Sequence, residues 1–205
     1  MGCAGSDTFK YDKTKDVVRQ SMGTGYVYWG FDPRVDSPDI SMDEWKTADF
    51  VCEYINRPPT VEEYCEDMLM MAIFYSVEMY PEFNIDHVKR HFTARGYSGY
   101  LKHGTKIKKK GGVTVVEENI QAGAHTTEAI KPTMFKFMEK YVETTASRCK
   151  FPKLLEDLRD VEYHELNPYD SFVGATYAIM GYHESLDRKP VSEERIDIGA
   201  MLRRH

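Results

Sequence analysis

"TVEEYCEDMLMMAIFYSVEMYPEFNIDHVKRHFTARG", residues 60–96, sets the fold class because its periodicity changes twice within one run. Thr60, with Glu63 three residues on, makes the capping-box pattern, a side-chain acceptor set over the first free N–H groups of a helix. Tyr64, Met68, Met71 and Tyr75 then recur at helical spacing, which predicts a helix with this stripe in the core. "VEMYP" (77–81) is short enough for a buried strand, and Glu82 stands at its carboxyl end. "NIDHVKRHFTARG" predicts a second helix stopped by Gly96, and "YSGYLK" (97–102) a further strand.

Upstream, "GCAGSDTF" is small and apolar up to Asp7, while "GTGYVYWGF" (23–31) and "DFVCEYI" (49–55) carry the β-branched and aromatic residues that suit strands. The polar "KYDKTKDVVRQS" and the Pro- and Asp-rich "DPRVDSPDISMDEW" between them predict surface loops. Three strands followed by helix, strand, helix, strand predict an α/β fold with a mixed sheet, its later strands joined by parallel crossovers.

Downstream, "HGTKIKKKGGVTVVEENIQAGAHTTE" predicts a hairpin or loop insertion near residues 104–125. From about Thr127 the pattern is helical, through "EAIKPTMFKFMEKYVETTASR" and "FPKLLEDLRDVEYHE". A last helix, "NPYDSFVGATYAIMGYHE", sets Phe172, Ala175 and Ile179 on one face and Asp170 in its first turn. The expected organisation is one domain over residues 1–185 and a polar tail over 186–205.

Composition narrows the function classes. A length of 205 residues suits one domain with a real core, and 41% hydrophobic with 29% charged residues is a globular profile. No run approaches the ~18 apolar residues of a membrane helix. "MGCAGSDTF" lacks the basic and apolar segments of a signal peptide; Gly2 and Ser6 match a myristoylation pattern, but the stretch reads better as a strand. Cys3, Cys52, Cys65 and Cys149 form no CxxC pair, so neither a zinc site nor a disulfide framework is indicated and a reducing compartment is expected. The net charge of -6 argues against holding nucleic acid by bulk electrostatics; any DNA contact must be local, metal-assisted or supplied by a partner.

The candidate chemistry lies in carboxylates. Ligands of an open sheet bind beyond the carboxyl ends of its strands. Asp7 ends the first strand, Glu82 ends the fourth, and Asp170 opens a helix expected to pack on the sheet. Three carboxylates in one place repel unless cations neutralise them, and an all-oxygen donor set selects Mg²⁺ or Mn²⁺ over zinc. Two such ions about 4 Å apart would clamp the attacking water and the leaving oxygen of a phosphodiester. With 33 acidic residues in the chain, spacing alone does not single out these three.

"DFVCEYINRPPTVEEYCEDMLMMAIFYSVEMYPEFN", followed by a helix and "GYSGYLKHGTK", resembles the nuclease domain of tailed-phage terminase large subunits, in particular those of phages and prophages of gut Bacteroidales. "SMGTGYVYW" is similar to the second strand of that domain and "NPYDSFVGATYAIMG" to its final acidic helix, so the resemblance covers roughly residues 2–183. It implies an RNase H-like fold, two Mg²⁺ or Mn²⁺ ions, and metal-binding acids at Asp7, Glu82 and Asp170, with Asp12 as the alternative first ligand. Pro81 and Phe83 flank Glu82 where relatives often have Asn after the acid, so the strand is expected to stop pairing at Pro81.

The implied activity is endonucleolytic cutting of double-stranded, concatemeric viral DNA with low sequence specificity, in the host bacterial cytoplasm. Expected partners are the terminase ATPase domain, the portal and the small terminase subunit, and no membrane. "GYLKHGTK" is no phosphate-binding loop, since Thr precedes Lys, and the chain reads as an isolated nuclease domain with Met1 as an added start. Lys106, Lys108, Lys109 and Lys110 are candidate phosphate contacts, because a hairpin at this point helps place DNA in the family; a solvated loop is the plain alternative. The competing readings are another RNase H-like nuclease such as a junction resolvase, or an inactive docking module for the packaging motor.

Remaining residues read more simply. His87 and His91 have i, i+4 spacing without the HExxH glutamate, which fits an exposed polar face. Arg57 and Arg95 either meet phosphate or cap and pair. The Met and Tyr stripe and Trp29 suit packing, Trp45 is a candidate for stacking on bases, and no Ser, Cys or His arrangement makes a nucleophile and base.

Overall fold

The structure is a computed structural model that describes residues 1–9, 21–30, 48–82, 85–110, 113–123 and 130–187. Asp12, Trp45, the two upstream loops apart from Ser21, and residues 188–205 lie outside the described residues. Strands β1 (Gly2–Asp7), β2 (Gly23–Trp29) and β3 (Asp49–Asn56) pair antiparallel in sequence, whereas β4 (Glu78–Pro81) joins β1 in parallel, giving the order β3-β2-β1-β4. The fold is therefore α/β with a mixed sheet flanked by helices, as its sequence pattern predicts.

Helix α1 (Val61–Tyr75) starts as its capping pattern requires, the Thr60 hydroxyl accepting the Glu63 N–H at 3.2 Å. Thr60→Ala is expected to cost about 1 kcal/mol in urea unfolding, and Thr60→Asp to restore it, since either oxygen satisfies the same orphan donor. Tyr64, Met68 and Met71 are buried as the stripe predicts, but Tyr75 is only partly so. Helix α2 (His87–Ala94) ends at Gly96, whose φ of +82° is the left-handed conformation that favours glycine.

Beyond α2 the sequence reading needs correction. "YSGYLK" is not a full strand: Ser98–Tyr100 is a 3₁₀ turn and Leu101 alone makes a parallel bridge to Met79. Only Leu101 and Lys102 of this stretch are buried, so it lacks the alternating core residues that would hold more ladder. Pairing also does not stop at Pro81, because the Glu82 N–H donates to the Ser6 carbonyl at 3.1 Å. Alternate residues of a strand turn their amides to opposite sides; Met79 accepts from Lys102 on the outer side, so the missing N–H of Pro81 also faces outward and costs β1 nothing.

The insertion is a hairpin of β5 (His103–Lys110) and β6 (Val113–Ala122), a separate two-stranded sheet. Helices α3 (Lys131–Thr144) and α4 (Pro152–Asp160) follow, and α5 (Asp170–Asp187) closes the described chain. The helical pattern expected from Thr127 begins as α3 at Lys131, with 124–129 outside the described residues, and the tail expected from Leu186 is still helical through Asp187.

Two cores flank the sheet. One gathers Ala4, Val27, Met79 and the buried faces of α1 and α2; the other gathers Cys3, Tyr26, Tyr28 and Tyr80 against α5, with α3 and α4 behind it. Helix α5 is buried on all sides from Ser171 to Tyr182, not on one face as its pattern suggests, because it lies between the sheet and two further helices. All four cysteines are free thiols. Among the described residues no helix is long and apolar enough to cross a membrane.

Candidate carboxylate site

Strand alternation decides where the acids face. In β1, Cys3 lies in the core under α5 and Gly5 touches the α5 backbone, so Asp7, two residues further, faces α5 as well. In β4, Tyr80 packs in that same core, and alternation turns Glu82 to the same side. Ser6 pairs with Pro81 in parallel, so Asp7 and Glu82 hold successive positions at the carboxyl ends of neighbouring strands.

Helix α5 supplies the third acid by its direction. Gly181 lies against Cys3, and Gly174 and Ala178 lie against Gly5, so α5 runs antiparallel to β1 and its first residue, Asp170, comes to the end of β1 where Asp7 stands. Thr24, the antiparallel partner of Asp7, donates its hydroxyl to the Asp170 carbonyl at 2.9 Å. Asp7, Glu82 and Asp170 are each half-buried, at the margin between core and solvent.

The start of α5 is fastened from both sides. The Asp170 carboxylate accepts the Met22 N–H at 2.8 Å and the Ser21 hydroxyl at 3.3 Å. Asp157, 2% exposed, accepts the Ser171 N–H at 3.0 Å and is paired with Lys153 at 2.5 Å. These contacts use part of the acceptor capacity of Asp170, since an ionised carboxylate offers about four lone-pair sites. An acid in the first turn is also favoured by the helix dipole.

The end of β1 has its own support. The Tyr64 hydroxyl lies 3.0 Å from the Asp7 carbonyl and 2.8 Å from that of Thr24, tying α1 to the tips of β1 and β2. Arg57 lies over the Phe9 ring, 5.0 Å from its centroid, and donates to the Ser21 carbonyl at 2.5 Å. A guanidinium thus stands one residue contact away from Asp170. Sequence reasoning missed Ser21, Tyr64 and Asp157 as supports of the site, because nothing in "KLLEDLRD" distinguishes the buried Asp157 from its solvated neighbours.

Under the start of α5, Tyr26 donates to Glu53 at 2.7 Å. Burial pushes the Glu53 carboxyl above its ordinary range, with the Tyr26 hydrogen bond opposing. A carboxyl raised on folding contributes stability that is present below its unfolded pKa and is lost as pH rises through the folded value. Glu53→Gln, which keeps an acceptor for Tyr26, should therefore match the parent in acid and become the more stable of the two as pH rises above the usual carboxylate range. Urea midpoints across pH test this, and a difference that does not change with pH refutes the assigned cause.

The donor set is all oxygen, which suits a hard divalent cation. Among the described residues, however, no three His, Cys, Asp or Glu side chains are gathered closely enough to hold an ion. The Asp170 carboxylate is turned towards the Met22 N–H and the Ser21 hydroxyl.

Other candidates resolve more simply. His91 lies 2.7 Å from Glu66, and Arg95 pairs with the same carboxylate at 2.9 Å, so both residues pair with α1; together they hold Glu66 below the usual carboxylate range. His87 is exposed, and Trp29 packs on the α1 side of the sheet. Lys106, Lys108, Lys109 and Lys110 all lie on β5. Comparison of the chain with protein-family models, with curated proteins and with solved structures returned no match.

Proposed function

We propose that this chain is a metal-dependent endonuclease of RNase H-like fold that hydrolyses phosphodiester bonds of double-stranded DNA, the nuclease part of a phage-type terminase. The observation that carries this reading is the shared position of Asp7, Glu82 and Asp170: one end and one face of the sheet, all half-buried. The strand order, with β1 antiparallel to β2 and parallel to β4, supports the fold assignment.

Asp7, Glu82 and Asp170 would hold Mg²⁺ or Mn²⁺. When bound, these ions supply Lewis-acid activation of water and of the phosphodiester. The chain's own part is positioning: Glu82 is fixed through Ser6, and Asp170 through Thr24, Met22 and Ser21. No side-chain general base is required of the protein. On this reading the physiological setting is the cutting of concatemeric DNA during packaging, beside the ATPase domain, portal and small subunit.

The test is cleavage of supercoiled plasmid in Mn²⁺, Mg²⁺ or EDTA. Nicking and linearisation confined to the metal-containing reactions is the expected result. A preference for branched over linear DNA would move the assignment to a resolvase. The inactive docking module predicts neither cutting nor Mn²⁺ binding.

A further inference from the structure

Beyond β4 a groove of about 510 Å³ opens between α2 and the foot of the β5–β6 hairpin. One wall is a single face of α2, carrying Asp86, Lys89 and Arg90; Leu101 lies in the floor, and Ser98 and His103 line the other side. Asp86 stands four residues after Glu82. Leu101 runs parallel to Met79, so the chain leaves it for His103 in the direction of the strand ends that carry the acids.

The charge of this groove departs from that of the chain as a whole. The chain as a whole carries -6, yet here Lys89, Arg90 and His103 meet a single acid, Asp86, which pairs with Lys89 at 3.0 Å. From His103 the chain continues into β5 as "HGTKIKKK". A local cluster of cations on an acidic protein is the electrostatic footprint of a site for an anionic polymer. A volume in the usual small-ligand range of about 300–1,000 Å³ admits a phosphodiester segment but no duplex.

We propose that this groove binds the sugar-phosphate backbone of one nucleic-acid strand, with Lys89 and Arg90 contacting successive phosphates. Lys89 has three donors and can serve a phosphate while remaining beside Asp86. The contacts are to backbone, so they position the strand without reading its sequence. The proposal rests on the nuclease reading only for the identity of the polymer.

The test is fluorescence anisotropy of the whole chain with short labelled DNA, in EDTA so that no cleavage occurs, over a series of salt concentrations. The Lys89→Ala/Arg90→Ala double variant should bind roughly tenfold more weakly. Its log–log salt slope should fall by about 2, one per phosphate contact. Arg90→Glu changes an exposed side chain and gives the same direction if the double variant fails to fold, while Arg159→Ala on α4 should bind like the parent.

Unchanged affinity and slope in both groove variants would overturn the proposal. So would competition by polyglutamate as effective as that by DNA, which would assign the groove to an acidic polypeptide. A plasmid cut normally by a groove variant with parental binding sinks the groove alone. Binding lost in the groove variants of a chain that never cuts sinks the nuclease alone.

Discussion

Asp170→Asn and Glu82→Gln should each reduce metal-dependent plasmid cleavage by about a hundredfold or more, with Asp7→Asn doing the same. Each change keeps the side chain's size and removes only its negative charge, the property a hard cation requires. The supports of the site survive the changes. Asn at position 170 still offers an oxygen to the Met22 N–H, and Gln at position 82 leaves the Glu82-to-Ser6 backbone bond intact. Folding should therefore be preserved, with urea midpoints near the parent's, and isothermal titration should show weakened Mn²⁺ binding in parallel with lost cleavage. Activity that survives Asp170→Asn and Glu82→Gln, or cutting in EDTA, would remove these residues from the site.

Gly5→Ala should be the most damaging single methyl addition in the sheet, costing about 3 kcal/mol or more. A Cβ there would lie 2.2 Å from the Ala178 nitrogen and 2.4 Å from the Gly174 oxygen. Both are backbone atoms of α5 and cannot rotate aside, so the helix must move off the strand. That movement opens the core layer holding Phe172, Tyr177 and Ile179 and carries Asp170 away from Asp7. Gly25→Ala is the control: its Cβ would meet Met68 Sδ at 2.6 Å, the far end of a flexible side chain that can swing away. A loss below about 1.5 kcal/mol is expected for it. Equal urea midpoints for the two variants would refute the direct backbone contact of β1 and α5. A Gly5→Ala protein that folds under stabilising conditions should also cleave poorly, since the strand and the helix carry one acid each.

Local chemistry made much of this fold legible. The Thr60 cap, the stop at Gly96, the strands "GCAGSD" and "GTGYVYW" and the short β4 all depend on neighbours within a few residues, where capping, backbone freedom and β-branching decide the outcome. Reading failed where long-range packing overrides the local pattern. "YSGYLK" has the residue types of a strand, but only Leu101 makes a ladder bridge, to Met79. Helix α5 has an apolar face in sequence but is enclosed on every side.

The carboxylates show the same division. By sequence alone this chain determined their chemistry, oxygen donors at the ends of two strands and the start of a helix, because residue type and element boundary are local properties. Tertiary structure alone decided that they share a face and an end: the parallel register of β1 with β4, the antiparallel run of α5 along β1, and the supports from Thr24, Met22, Ser21 and Asp157 join segments up to 149 residues apart. Such contacts form only when burial of the two cores repays the entropy of closing long loops, and no local pattern encodes that balance.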